Sequence, residues 1–341
     1  MYEFCPKRVL FEQQALEYPL GQELWERFRR LGVDTLKIAS HNRVTGIPGK
    51  TPREGYLEAK QTLVVGVRKS NKFQSCKPSA HYQLPLVTSC PGTCQYCYLN
   101  TTLGKKPYIR IYVNIEEILE KAKAYMEERL PEVTIFEGAA TSDPLPVEPY
   151  TQSLFKAIEF FGSQEHARFR FVTKFDNVDS LLTAQHNGHT RFRFSLNSDT
   201  VIDQYEKGTP RLAQRLKAAG KVAKAGYPLG FLIAPIFIYE GWKAEYETLL
   251  NGLAEEMINY EGEHITFELI SHRFTTRAKH NILDIFPDST LPMEEEERKF
   301  KYGQFGYGKY IYRLEQMQEI REFMTEQIDS KFPNGKIEYL V

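Results

Sequence analysis

What this chain of 341 residues lacks narrows the field first. It has no excess charge of either sign, with 44 Lys+Arg against 44 Asp+Glu and a pI ≈ 7.1. That excludes a protein coating nucleic acid through a uniformly positive surface, while leaving room for a local basic patch. Long hydrophobic runs are missing as well. The most apolar stretch, 227–238, is too short to span a bilayer and contains Pro228 and Pro235. Residues 1–10 mix Glu3, Lys7 and Arg8 with apolar side chains and form no signal-peptide core, so export is not expected. Cysteine is scarce: there are five, an odd number, and three fall between Cys90 and Cys97, which favours metal or redox chemistry over a disulfide scaffold. No internal repeat is visible. With 42% hydrophobic and 26% charged residues, wholesale disorder and collagen-like repeats are excluded. One large α/β domain with appendages suits this length better than a string of small modules.

The balanced charge is unevenly spread. Residues 1–80 hold 14 Lys+Arg against 8 Asp+Glu, leaving 30 against 36 for the remainder. Such a basic segment can serve a polyanion or be a solvated surface. From about residue 83, short apolar runs alternate with helical patterns. Strands are expected at 83–88, 134–137, 168–173, 191–196, 230–236 and 264–270. An amphipathic helix follows Asn114, which with Glu117 makes a capping box; further helices fit 151–161, 210–225 and 242–260. Six such alternations imply a parallel sheet with right-handed crossovers, too few for a closed eight-strand barrel. After residue 275 the rhythm stops. An acidic run at 294–297 leads to a Tyr/Gly/Lys-rich stretch at 302–312 and an amphipathic helix near 314–328.

Directly after the first expected strand comes Cys90-Pro-Gly-Thr-Cys94-Gln-Tyr-Cys97, a CxxxCxxC. Three thiolates on one loop can wrap a cubane iron–sulfur cluster and leave one iron open to a substrate. A structural zinc site normally takes four protein ligands, so Cys5 or Cys76 would have to complete it, and the wide Cys90–Cys94 gap suits paired CxxC geometry poorly. The expected position at the carboxyl end of a barrel strand, where barrel active sites sit, favours the cluster.

CxxxCxxC followed by a partial barrel resembles the radical S-adenosylmethionine (SAM) superfamily. The segment from Cys90 to Leu99, the Thr141-Ser142-Asp143-Pro144 run, Lys174-Phe175, Glu206-Lys207-Gly208-Thr209-Pro210 and the aromatic tail narrow the resemblance to the spore photoproduct lyase family. It covers most of the chain, residues 1–80 included. The resemblance implies an α/β protein with an open, partial (β/α)6 TIM-type barrel at 81–275. An N-terminal α/β extension at 1–80 packs on it, and a C-terminal β-hairpin plus helix at 276–341 contacts DNA. It also implies a monomeric, cytoplasmic DNA-repair lyase of the spore core of an endospore-forming bacterium, with a flavodoxin or ferredoxin as electron donor and no membrane partner.

In the implied mechanism a [4Fe–4S] cluster on Cys90, Cys94 and Cys97 splits SAM to a 5′-deoxyadenosyl radical. That radical takes a hydrogen atom from C6 of 5-thyminyl-5,6-dihydrothymine in double-stranded DNA. The bond joining the thymines breaks, a thymine radical is left to be quenched, and SAM is regenerated. Tyr96 and Tyr98, beside Cys97, would pack on SAM and relay a hydrogen atom or electron, or shield the cluster from water. The residues at the expected strand ends are compatible with SAM: Ser142 for its amino group, Asp143 for ribose hydroxyls, Lys174 and Ser195 for its carboxylate, and Ala234 for adenine. Taken singly, each is equally readable as a cap, a turn or a surface polar residue.

One position departs from the family pattern. Ala140 stands where the family has the cysteine that donates the final hydrogen atom, and a methyl group cannot do what a thiol S–H does. An enzyme impaired at that step is therefore expected, with Cys76 or Cys5 as substitutes only if the fold brings one to the mouth. For DNA, the expected contacts are His272, Arg273, Lys301, Tyr302, Phe305 and Lys309, on a glycine-rich hairpin whose aromatic tip would wedge into a duplex. A lesion joining adjacent thymines must flip out to reach a barrel mouth. The alternative for the hairpin is a structural role, its aromatics packed on the barrel. For the whole chain the alternatives are another radical SAM enzyme with a non-DNA substrate, or a zinc-stabilised non-catalytic DNA-binding protein.

Overall fold

The computed structural model describes residues 2–341 apart from 71, 78, 263 and 303–307. The alternating runs become strands of one eight-stranded sheet. Its order is β4 (Ser75–Cys76), β5 (Ala80–Gln83), β8 (Thr134–Glu137), β9 (Ala167–Thr173), β10 (Thr190–Leu196), β11 (Leu229–Ile236), β12 (Ile265–Ser271) and β15 (Gly335–Leu340). From β5 to β15 every pairing is parallel, and only β4 runs antiparallel at its edge. Crossover connections carry α4 (Ile115–Glu127), α5 (Glu148–Thr151), α6 (Ser153–Gly162), α7 (Asp199–Tyr205), α8 (Leu212–Lys224) and α9 (Trp242–Glu256). The expected open barrel is present, with one parallel strand more than the rhythm implied.

Side chains prove that the sheet curls. Arg170 on β9 donates to Glu137 on β8 (3.1 Å) and to Glu268 on β12 (3.0 Å), and Arg193 on β10 donates to the same two carboxylates. In a flat sheet β9 and β12 would be roughly 14 Å apart, three strand spacings, beyond an arginine's reach. These four charges and the Tyr339 hydroxyl, which donates to Glu268 (2.6 Å), form a floor across the barrel in which Glu137, Arg193 and Glu268 are buried and Arg170 and Tyr339 partly so. Each charge has a partner, without which burial would be costly. The opposite face of each strand points at the helices. There Phe136, Phe169, Phe171, Phe192 and Phe194 are buried, and Phe169 stacks on Phe161 of α6 at 5.2 Å.

A second, five-stranded sheet runs β2 (Asp34–Ile38), β1 (Arg8–Glu12), β3 (Thr62–Gly66), β7 (Ile109–Tyr112) and β6 (Val87–Thr88). It packs with α1 (Pro19–Arg30) and α2 (Pro52–Lys60), and α3 (Leu99–Thr102) follows the cysteine loop. Two expectations change here. The single strand at 83–88 is two strands in different sheets, because Pro85 has no N–H to give a ladder and the chain turns away after Leu84. The division at residue 80 does not follow the sheets either. Strands β6 and β7 join the N-terminal sheet, while β4 and the C-terminal β15 pair with exposed edges of the barrel.

Smaller differences follow from local competition. Asn114 does not cap α4: its Oδ1 accepts from the Arg68 backbone (2.9 Å) and its Nδ2 donates to Glu117 (2.9 Å). Past residue 275 lies an unexpected helix, α10 (Thr276–Ile285), capped by Thr275, whose hydroxyl accepts from Ala278 N (3.0 Å). The antiparallel β13 (Lys299–Tyr302) and β14 (Gly308–Ile311) form the expected hairpin, and α11 (Leu314–Lys331) leads into β15.

Candidate active site

Two-residue steps up the strands lead from the ionic floor to a cavity: Arg170 to Val172, Arg193 to Ser195, and Glu268 to Ile270 and His272. The cavity, about 530 Å³, opens at the carboxyl ends of β8 to β12. Cys90, Cys94 and Cys97 line it together with Tyr96, Tyr98, Ser142, Asp143, Lys174, Ser195, Ala234 and Arg273. Residues spread over 180 positions thus meet: those from Ser142 to Arg273 sit at the ends of strands of the curled sheet, while the cysteines arrive on the loop that follows β6 of the other sheet.

The cysteine loop is clamped from below and from the side. Thr93 N and Oγ1 both donate to the Lys207 carbonyl (2.8 and 2.9 Å), and Gln95 N donates to Tyr205 O (2.9 Å). Ser89, at φ +67°, bridges in parallel to Ser142 and turns the chain into the loop. Gly92 fits where a Cβ would come within 3.1 Å of Thr209 and 3.7 Å of the Cys90 sulfur. Burial pushes the Cys90 thiol up to about 11, with Lys60 pulling the other way, and raises Cys94 further. A bound metal would offset that penalty by holding thiolates. Among the described residues no three His, Cys, Asp or Glu side chains stand around a single ion position.

The flanking tyrosines differ in surroundings. Tyr96 Oη donates to Glu206 Oε1, as does Lys174 Nζ (2.8 Å), and Lys174 also reaches Tyr96 Oη (3.2 Å). Arg215 holds the other Glu206 oxygen at 2.6 Å. Burial works against the Glu206 charge, but Arg215 and Lys174 hold its carboxyl down at about 2. Tyr98 projects into the open cavity, 58% exposed, and donates to the carbonyl of Ala140.

The other predicted residues divide into free and occupied. Ser142 lines the cavity, and its Oγ is buried with no hydrogen-bond partner. Asp143, in contrast, accepts from Thr173 Oγ1 (3.0 Å), Lys174 N (2.8 Å) and Leu145 N (3.3 Å), so its carboxylate ties β8 to β9; burial raises it to about 6. Lys174 likewise spends its charge on Glu206. Ser195 and Ala234 line the wall and carry no charge.

His272 is 2% exposed, ringed by Phe237 and Phe274, and bonded through Nδ1 to Arg298 (3.3 Å). Burial, then Arg298, lowers it to about 3, which leaves the enclosed imidazole neutral. Arg273 stays at the rim, near Lys309 and Lys301, which face each other across the hairpin. Phe274 and Tyr310 exchange two backbone hydrogen bonds (3.1 and 2.7 Å), fixing the hairpin to the mouth. Tyr302 is 79% exposed. Phe305, with Gly303, Gly306 and Tyr307, lies outside the described residues.

Neither of the two spare cysteines lines the cavity, and they differ in what they approach. Cys76, in β4, lies beside Glu137 at the end of β8, and is near enough for its thiolate to bear on the Tyr98 phenol. Cys5 is exposed and outside the cavity wall. Sequence reasoning missed Glu206 and Arg215, although Glu206-Lys207-Gly208-Thr209-Pro210 was among the motifs, because a buried ion pair has no spacing of its own.

Comparison with known proteins agrees with this geometry. A family model described as spore photoproduct lyase matches residues 4–341. The spore photoproduct lyase of Bacillus subtilis is 52% identical over 98% of both chains, and that of Clostridium acetobutylicum 50% over 98% of both. A solved spore photoproduct lyase mutant with bound AdoMet and dinucleoside spore photoproduct is 51% identical, covers 99% of both chains and superimposes with a TM-score of 0.95. That mutant carries a cysteine-to-alanine change at its position 140 and a serine-to-cysteine change at its position 76, the numbers that Ala140 and Cys76 have here. With a full-length family match and half of all residues identical, the chain belongs to the spore photoproduct lyase family.

Proposed function

We propose that this protein is the radical SAM lyase that splits the spore photoproduct in DNA back to two thymines, with a [4Fe–4S] cluster on Cys90, Cys94 and Cys97 and SAM in the cavity above them. The observation that carries this reading is the cavity itself, where the three cysteines, the unpartnered Ser142 hydroxyl and the open Tyr98 ring share one strand-end mouth. When bound, the cluster and SAM supply the 5′-deoxyadenosyl radical and recover a hydrogen atom as SAM re-forms.

The chain's own residues do the rest. Ser142 is free to bond the SAM amino group, while Ser195 and Ala234 form the wall on which the remainder of the cofactor lies. Asp143 and Lys174 act one step back, the first by tying strand ends together and the second by fixing Tyr96 through Glu206. Arg273, Lys301 and Lys309 hold phosphates at the mouth, and Tyr302 stands ready to stack in the gap left by the flipped lesion.

Hydrogen return does not end at Ala140. The Cys76 S–H bond breaks homolytically, its hydrogen atom goes to the thymine radical, and the thiyl left behind takes a hydrogen atom from Tyr98 O–H, which relays one from the cofactor site. The neighbourhood of Cys76 and Tyr98 supports this path, as does the presence of alanine and cysteine at the two positions changed together in the solved mutant. One chain completes the cavity, which suits a monomer. Among the described residues no helix is long and apolar enough to cross a membrane. A flavodoxin or ferredoxin as reductant and a place in the cytoplasm of the spore core belong to the same proposal.

The test is anaerobic reconstitution followed by incubation with lesion-bearing DNA, SAM and a reductant. A brown protein that releases thymines supports the reading. A colourless protein returns the zinc alternative, and a brown one that ignores lesion DNA returns a radical SAM enzyme of another substrate.

A further inference from the structure

The N-terminal extension reaches the cysteine loop through one helix. Thr51 and Glu54 make a capping box at the start of α2, with Pro52 at its first turn, so the helix is firmly begun. Tyr56 and Lys60 stand one turn apart on it, on one face. Both are buried, Tyr56 at 0% and Lys60 at 2% exposure. A lysine is seldom so enclosed without a carboxylate. Lys60 donates instead to the Cys90 carbonyl (3.0 Å) and to Ser89 Oγ (3.4 Å), with its ammonium 5.4 Å from the Tyr56 ring.

Tyr56 presents the complementary anomaly. Its hydroxyl is buried with no hydrogen-bond partner, and all three loop cysteines act electrostatically on it. The other group bearing on it, the Asn100 amide, spends its Nδ2 on the carbonyls of Cys94 (3.2 Å) and Gln95 (3.3 Å), and its Oδ1 is itself without a bond. Phe286, just past the end of α10, packs edge-on against the Tyr56 ring at 5.5 Å. A buried O–H beside the Asn100 amide and an ammonium with no anion among the described residues thus converge on the loop from the same helix face.

We propose that Tyr56 and Lys60 are positioning residues of the iron–sulfur cluster, Tyr56 as a hydrogen-bond donor to its sulfurs and Lys60 as a fixed positive charge beside Cys90, and that together they raise its reduction potential. The inference rests on the reading of Cys90, Cys94 and Cys97 as cluster ligands. A one-electron reduction adds negative charge to a group already ringed by three thiolates. In a buried site a nearby cation and a donated hydrogen bond stabilise the reduced form more than the oxidised one. The N-terminal extension is then part of the redox centre as well as a support for the barrel.

The experiment is an anaerobic potentiometric titration followed by electron paramagnetic resonance, on reconstituted wild type, Tyr56→Phe, Lys60→Met and Lys60→Arg. Iron and sulfide are counted first in each. Wild type that takes up no cluster sinks the cysteine reading itself, independently of the helix. With equal loading, Lys60→Met is expected to lower the reduced-to-oxidised ratio at a given potential about tenfold, a shift of ~59 mV for one electron. Tyr56→Phe, which keeps the ring and its packing, shifts the potential the same way by less, and Lys60→Arg stays near wild type. A fully loaded Tyr56→Phe or Lys60→Met with an unchanged potential overturns the role of that residue.

Discussion

Tyr98 Oη donates to the carbonyl of Ala140, so the phenol at the mouth is held by the residue whose number is that of the cysteine changed to alanine in the solved mutant. Cys76 approaches the same phenol from β4. In the proposed path the thiol stands on the neighbouring hairpin and exchanges with this tyrosine.

Cys76→Ala should therefore leave SAM cleavage and lesion consumption in progress while lowering the yield of intact thymine by about tenfold or more, equivalent to ~1.4 kcal/mol or more of barrier. Adding Ala140→Cys to that variant should restore the yield. Chromatography of the products of lesion dinucleotide decides the matter; a Cys76→Ala enzyme with full thymine yield would remove Cys76 from the path.

Ser142→Ala deletes a hydroxyl that has no partner within the protein. Stability should stay within about 0.5 kcal/mol of wild type by urea unfolding. SAM affinity, measured by calorimetry on the reconstituted enzyme, should weaken by roughly 1 kcal/mol, one hydrogen bond.

Glu206→Gln strands the fully buried Arg215 and the half-buried Lys174 without their carboxylate and should cost about 3–5 kcal/mol of stability. The pH dependence has a definite sign. Burial opposes the charge, but Arg215 and Lys174 depress the folded carboxyl to about 2 from 4.5, so its contribution is present above pH 4.5 and lost as pH falls toward 2. Unfolding free energies across that window should fall more steeply for wild type than for Glu206→Gln.

At the mouth, Lys309→Met and Lys301→Met should each weaken DNA binding and reduce the slope of log K against log salt by about 0.9 for each phosphate no longer neutralised. His272→Gln should leave that slope unchanged, because the imidazole is neutral and enclosed. A change in slope with His272→Gln would mean that it carries charge to the DNA after all.

Much of the barrel was legible. Strands β8 to β12 were found within a residue or two, since both faces of a parallel strand are patterned by what they meet: Phe169 and Phe171 toward helices, Arg170 and Val172 toward the interior. Less visible were β15 and β4, short edge strands that exist because the sheet has edges to pair, and α10, whose Thr275 cap was hidden in a polar stretch. His272 shows why residue type misleads at a site. Beside Arg273 in the chain it reads as basic, yet the alternation along β12 turns its ring inward, between Phe237 and Phe274.

By itself the sequence determined the balanced charge, the scarcity of cysteine and its concentration in Cys90–Cys97, and the local periodicities that make strands and helices, because all of these are properties of neighbours along the chain. It also determined that Ala140 lacks a thiol. Whether another thiol takes its place, and whether a lysine and a tyrosine some thirty to forty residues away attend the cysteine loop, was decided only in three dimensions. Cys76 comes within electrostatic reach of Tyr98 from an antiparallel edge strand, and Tyr56 and Lys60 reach the loop through a helix of the other sheet. Such contacts are set by the curl of the sheet and by which edges pair, and these depend on long-range packing that no local spacing records.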